Sequence, residues 1–275
     1  MGVTPEQTEV FRKGSKTYFN SSLFFPPRIR EKVFTLYAFV RTADDYVDAV
    51  PQRAEDFRRF RRAYEAAAGG LGAGDGVIDP FLRLAGECGF DPAWTTAFLD
   101  SMEADLSVKT YDALEDTLCY IHGSAEVIGY FMARIMELPD AALPSAALLG
   151  RAMQYINFIR DIAEDAGLGR RYLPLGGADP RIVEEAHARA HPGEFAAFIR
   201  GHLDIYRGWQ KDAVEGYRFI PRRYRAPIAT AGDMYWWTAD RIAERPLVVF
   251  DRKVKPGRGR ILLRILRNFL SGGGG

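Results

Sequence analysis

Cysteine is scarce in this chain. Its two cysteines, Cys88 and Cys119, are too few for a disulfide framework or a cysteine-based zinc site, which points to a reducing compartment. An excess of one charge is also missing: 37 Lys and Arg stand against 36 Asp and Glu, a formal net charge of +1. Nucleic-acid binding normally needs a clear basic surplus, so no nucleic-acid partner is expected. Long apolar runs are absent as well. The most apolar region, Leu118 to Met136, is interrupted by His122, Glu126 and Arg134 and reads as a buried helix rather than a membrane span. The N-terminus, Met-Gly-Val-Thr-Pro-Glu-Gln-Thr-Glu, lacks a basic region followed by an apolar core, so no cleaved secretory signal is expected and the location is read as cytoplasmic. Strand signals are nearly absent too: Pro246-Leu-Val-Val-Phe250 is the one strand-like run, and a single strand builds no sheet.

What remains is an all-α pattern. With hydrophobic residues at 47% and aromatics at 13%, the chain can fill a substantial apolar interior. No internal repeat or domain boundary stands out, so one domain over 1–275 is expected. Pro26-Pro27 suits a helix start, because proline at the first position gives up no needed backbone donor; that helix should run to about Val47. A charged helix follows over roughly 54–68. The glycine-rich stretch 69–76 comes after a helix and lacks the strand-turn-helix setting of a dinucleotide site, so it reads as a loop. Further helices are expected from Asp91-Pro92 toward Leu106, over 112–137, 180–197 and 198–217, and from Tyr224 to Ala243. His187 and His191 have a spacing that could ligate zinc, but Glu184, Glu185 and Arg189 between and beside them favour an exposed helix. Residues from about 254 to 275 form a basic amphipathic tail. It can either lie on an anionic membrane, at the inner face of the cell membrane, or pack on the domain with its basic side in water.

Two stretches carry chemistry. Wound as a helix at about 100° per residue, Gln154, Asn157, Asp161 and Asp165 share an arc of roughly 80°. Upstream, Tyr37, Arg41, Asp44 and Asp48 share roughly 60°. Each is an Asp-x-x-x-Asp pair with polar companions on one face. Like charges one turn apart repel, so a bound cation is expected, and Mg2+ suits carboxylate, water and phosphate oxygens. Two such faces opposed across a helical cavity could bring Mg2+ to a diphosphate.

These residues, with Ser15-Lys-Thr-Tyr18, Pro26-Pro27, Arg160, Glu164 and Arg170-Arg-Tyr-Leu-Pro174, resemble the squalene/phytoene synthase family, which joins two prenyl diphosphates head to head. Weaker matches are Met102-Glu-Ala-Asp105 and Tyr235. The resemblance implies an isoprenoid-synthase-type helical bundle around a central hydrophobic cavity. It implies that Asp44, Asp48, Asn157, Asp161 and Asp165 hold Mg2+, with Mn2+ as a substitute, and that Gln154 lies close to the reacting groups. Arg41, Arg160, Arg171, Tyr172, Tyr235 and Arg252 would contact diphosphate or its metals, with Ser15, Lys16, Thr17 and Tyr18 at the substrate entrance. Tyr37 and Tyr120 would lie on the reaction path. Ser124, Ala125, Ile128 and Gly129 would line the hydrocarbon tunnel, although small residues there also suit ordinary helix packing.

Similar enzymes ionise one prenyl diphosphate, add the cation to the double bond of the other and form a cyclopropylcarbinyl diphosphate. A second ionisation and rearrangement ends in proton loss or in hydride delivery. The main expectation is two C20 (geranylgeranyl) diphosphates giving phytoene. The alternatives are C15 (farnesyl) substrates giving dehydrosqualene, presqualene diphosphate or, with NADPH, squalene. A noncatalytic assembly factor of the same fold is a distant alternative. Glu126 stands where many family members have a small residue. On the wheel it points away from the tunnel arc, and if buried it requires a cationic or hydrogen-bonding partner.

Overall fold

The computed structural model describes residues 25–270. The expected entrance residues Ser15, Lys16, Thr17 and Tyr18 lie outside them. The described residues are helical, with a single bridge, Thr110 to Arg171, as their sole β pairing. No helix among them is long and apolar enough to cross a membrane.

Helix α1, Pro27–Asp48, begins with proline at its first position, as its sequence requires. It is followed by α2 (Ala54–Ala66), a one-turn π segment at Ala67–Leu71, α3 (Ile78–Cys88) and α4 (Pro92–Ala104). Asp91 caps α4 by accepting a hydrogen bond from the Ala93 amide at 2.9 Å. The sequence reading left 77–88 without a helix. The apolar stripe Ile78, Phe81 and Leu84 builds one there, and Gly89 ends it in the left-handed conformation.

The expected rod over 112–137 is three pieces in line: α5 (Leu114–Ile121), a π turn at His122–Glu126 and α6 (Val127–Ile135). A Cβ on Gly123 would stand 2.0 Å from the Ala97 carbonyl oxygen, so the π turn sits where the rod meets the α4 backbone. Helix α7, Leu143–Arg160, runs through the centre and packs against α6, the π turn and the two long C-terminal helices. It is followed by α8 (Ile162–Gly167), α9 (Glu185–Ala190), α10 (Pro192–Val214), α11 (Arg222–Glu244), α12 (Val248–Asp251) and α13 (Arg258–Leu270).

The helix boundary expected near 197 lies at His191, because Pro192 starts α10 and disfavours helical backbone in the residue before it. The strand-like run Pro246 to Phe250 ends in a helical turn. Val248 and Val249 bury against the second core cluster, and Phe250 meets Phe195 at 5.2 Å. Short apolar runs do not distinguish strand from helix.

The core has two clusters. One is aromatic and joins α1 to α4, with Phe39 stacked on Phe81 at 3.9 Å. The other surrounds α7 and α10. Between the acidic ends of α1 and α7 lies the cavity described next.

Candidate active site

A cavity of about 640 Å³ is lined by Arg41, Asp44 and Asp48 from α1 and by Gln154, Asn157, Asp161 and Asp165 from α7 and α8. The two aspartate pairs therefore face one space. The winding of the second motif is not uninterrupted: Asp161 adopts φ −101°, ψ 14° and separates α7 from α8. The Asp165 amide still donates to the Asp161 carbonyl at 2.9 Å, which keeps both carboxylates on the cavity side.

Each pair is flanked by cations. Arg41 pairs with Asp44 and Asp45, and Arg170 donates to Asp48 at 3.0 Å. Arg160 Nε donates to Asp161 at 2.8 Å, and Lys253 reaches Asp161 at 3.3 Å and also pairs with Glu164. Even so, burial and then the Asp48 carboxylate push Asp44 up to about 7, against the pull of Arg41. Burial, Asp161 and Glu164 push Asp165 up to about 8, against Arg170 and Lys253. Carboxylates that retain protons at neutral pH are short of positive charge.

These residues fit Mg2+ by donor chemistry: hard oxygens, acids short of countercharge, and the Asn157 Oδ1 buried in the wall without a partner. Among the described residues no three His, Cys, Asp or Glu side chains converge as a ready-made site. Water and phosphate oxygens must therefore complete any coordination shell, which is usual for Mg2+.

Behind the carboxylates is an aromatic wall. Phe158 stacks on Tyr172 at 4.4 Å, and Tyr120 lies 5.1 Å from Tyr172. Both tyrosine hydroxyls donate to the buried Asp105 carboxylate, at 2.6 Å from Tyr120 and 2.7 Å from Tyr172. Burial raises the titration of both phenols, which remain O–H donors, and also raises that of Asp105.

Several expected residues stand elsewhere. Arg171 turns from the cavity, donating to the carbonyls of Tyr111 and Leu173 at 2.8 Å and to Asp112 at 2.5 Å. The bridge at Thr110 fixes Arg171 backbone on that side, and Arg170 takes the inward place. Arg252 is exposed and off the cavity wall, where Lys253 and Lys255 stand instead. Tyr37 is half-buried against the aromatic core, one turn before Arg41, and does not line the cavity; burial pushes its phenol up to about 12. Tyr235 does line it.

A second, apolar cavity of about 120 Å³ is lined by Ala125, Ile128 and Gly129 together with Met132, Leu149 and Met153. Ser124 is not in its wall, and its hydroxyl is buried without a partner. A Cβ on Gly129 would come within 2.2 Å of the Ala146 carbonyl oxygen, so this glycine also permits close packing of α6 on α7. Glu126 is 5% exposed and points away from that cavity; it accepts from Arg151 and meets His122 Nδ1 at 3.0 Å.

Sequence reading gave no role to Asp105, Phe158, Arg170, Lys253 or Lys255. Arg170 and Asp105 lay inside quoted motifs, whereas the lysines were absorbed into the reading of a basic tail.

An all-helical bundle with two acidic pairs, paired cations and an aromatic wall around one cavity defines an isoprenoid-synthase-type protein. The family model for squalene/phytoene synthase matches residues 11–260, and the chain belongs to that family. It is 28% identical over 273 residues to the phytoene synthase of Pseudescherichia vulneris, covering 94% of this chain and 88% of that protein. It is 33% identical over 238 residues to the 15-cis-phytoene synthase of Paracoccus sp. (strain N81106 / MBIC 01143), covering 83% and 78%. In fold it is similar to a dehydrosqualene synthase solved with a ligand, with a TM-score of 0.84 at 21% identity over 97% of this chain and 95% of that one.

Proposed function

We propose that this protein is a prenyltransferase that condenses two geranylgeranyl diphosphates head to head to phytoene through a cyclopropylcarbinyl diphosphate, working as a single catalytic domain. Two diphosphates and two protons leave in the process, one proton as the cyclopropane closes and one after the second ionisation. The observation that carries the proposal is the pair of opposed Asp-x-x-x-Asp faces, with Gln154 and Asn157, on one cavity. The C20 substrate follows from likeness to phytoene synthases over most of their length.

Asp44, Asp48, Asn157, Asp161 and Asp165 would hold Mg2+, or Mn2+ through the same oxygens. When bound, the metal neutralises charge on the departing diphosphate. Arg41, Arg160, Tyr235, Lys253 and Lys255 line the same space and offer donors to its oxygens. Phe158, Tyr120 and Tyr172 present ring faces that favour a carbocation. Asp105 fixes the two phenols in place and adds a buried negative charge nearby. The small-residue face at Ala125, Ile128 and Gly129 receives hydrocarbon and excludes water. Ser15, Lys16, Thr17 and Tyr18 are assigned to substrate entry from the motif alone. The enzyme works in the cytoplasm, with peripheral contact to the inner face of the cell membrane.

The test is a purified-protein assay with Mg2+, offering C20 or C15 diphosphate with and without NADPH, with products identified by mass. Phytoene formed without NADPH is expected. Dehydrosqualene, presqualene diphosphate or NADPH-dependent squalene from C15 substrate, with none from C20, replaces the proposal by the C30 reading. No condensation product from either substrate leaves the assembly-factor reading.

A further inference from the structure

Helix α13 has two apolar faces. One packs on α11: Ile261 and Ile265 are buried, Asn268 donates to Thr230 Oγ1 at 3.0 Å and to Asp233 at 2.7 Å, and Arg264 pairs with Asp233 at 2.6 Å. The other faces water. Leu262 is 53% exposed, Leu263 71%, Leu266 61% and Leu270 90%. On a helical wheel these four leucines span an arc of about 100°. Arg258 and Arg260, both exposed, border the arc on opposite edges, and the Arg260 guanidinium rests 4.9 Å above the Trp237 ring. Neither reading offered by the sequence describes this arrangement fully: the helix packs on the domain, yet what it turns outward is leucine framed by arginine.

Charge decides what covers that face. Residues 252–270 hold Arg252, Lys253, Lys255, Arg258, Arg260, Arg264 and Arg267, which are seven of the chain's 37 basic residues, and none of its 36 acids. A second copy docked face to face would oppose two equally basic segments. Residues 1–24 are no better complement, since they carry three basic residues and two acids. An anionic lipid surface suits both features: headgroups meet the arginines and acyl chains take the leucines.

We propose that α13 is a docking helix that seats the protein on anionic bilayers through Leu262, Leu263, Leu266 and Leu270. Lys253, Lys255 and Pro256, which line the active cavity, lead directly into this helix, so docking brings the cavity lip to the membrane. The inference deepens the membrane contact proposed above. Catalysis gives it a purpose, because both substrate chains and product are lipids, but the test uses no substrate and is read independently of turnover.

The full chain is sedimented with vesicles of phosphatidylcholine alone or mixed with phosphatidylglycerol, at low and high salt. Binding to the mixed vesicles is expected, weakened by salt and nearly absent on phosphatidylcholine alone. Leu263→Glu/Leu266→Glu should lower the partition coefficient at least about tenfold, and the milder Leu263→Ser/Leu266→Ser should lower it in the same direction with an unchanged thermal melt. Arg258→Gln/Arg260→Gln should lower it about tenfold and flatten the salt dependence. Failure of the parent to bind either vesicle overturns the proposal, as does equal binding by the leucine variants. A dimer in light scattering that the leucine variants dissociate, with no vesicle binding, would assign the face to a second copy instead.

Discussion

Arg170 should matter for turnover and Arg171 for stability alone, although the two are adjacent and alike in type. Arg170 is 8% exposed and ties the two aspartate motifs together, with Nη1 on Asp48 at 3.0 Å and Nη2 on the Val47 carbonyl at 2.9 Å. Hydrogen bonds from a charged donor are worth about 1.5–3 kcal/mol, and an orphaned buried acceptor costs about 1–3 kcal/mol. The Asp48 side chain is 46% exposed, so water recovers much of its share, and the Val47 carbonyl keeps a second donor, Gln52 Nε2 at 2.8 Å, so neither acceptor is orphaned and the cost is that of the lost charged hydrogen bonds. Arg170→Ala should then cost about 2–4 kcal/mol and lower Tm by roughly 5–10 °C. It also removes a cation from beside Asp48 and Asp165, and kcat/KM should fall about a hundredfold or more. Arg171→Ala loses two carbonyl contacts and Asp112, all outside the cavity. A similar fall in Tm is expected there, with kcat/KM within about tenfold of the parent well below the melt. Thermal scans and steady-state kinetics on both variants make the comparison. Loss of turnover in Arg171→Ala at unchanged Tm, with Arg170→Ala near normal, would refute the reasoning.

Asp48→Asn and Asp161→Asn should each lower turnover at least about a hundredfold while the circular dichroism spectrum and melt are retained; near-normal rates at saturating Mg2+ contradict the assignment. In metal-free protein, native Asp44 and Asp165 keep protons that unfolded carboxylates have released above about pH 4. Stability should therefore fall as pH rises from about 4 and level off above about 7 to 8, and denaturant titrations in chelator should find that fall reduced in Asp165→Asn; an equal slope in parent and variant rejects it. His202, buried neutral against Tyr155 at 2.7 Å, is pushed down to about 4 by burial. Unfolded histidine binds a proton below about pH 6.5, so this group's contribution is lost on acidification from about 6.5 to 4, on the order of 3 kcal/mol. His202→Gln should weaken that acid dependence, and an unchanged acid midpoint counts against it.

The helical bundle was legible because apolar residues recur at helical spacing and proline marks several starts, at Pro27, Pro92 and Pro192. Pro192 is the same kind of start signal, yet the expected boundary lies near 197. The aspartate faces were legible because a helix maps spacing directly onto direction. Residues that reach the cavity from irregular backbone were not. Whether Arg170 or Arg171 points inward depends on a single long-range bridge at Thr110, which no local periodicity encodes. Lys253 and Lys255 arrive from a segment between α12 and α13, where basic character alone does not distinguish a cavity wall from a solvated tail. Asp105 sits just past the end of α4, and its value lies in two tyrosines 15 and 67 residues away.

The central claim is that the two aspartate pairs act together, through a divalent cation, on one diphosphate. Calorimetric titration of inorganic diphosphate into the full chain, with and without Mg2+, tests it directly. The account predicts saturable binding that needs Mg2+ and is lost when either pair is disabled, in Asp44→Asn/Asp48→Asn or in Asp161→Asn/Asp165→Asn. Binding equally strong in chelator, or untouched by disabling one of the pairs, would contradict it.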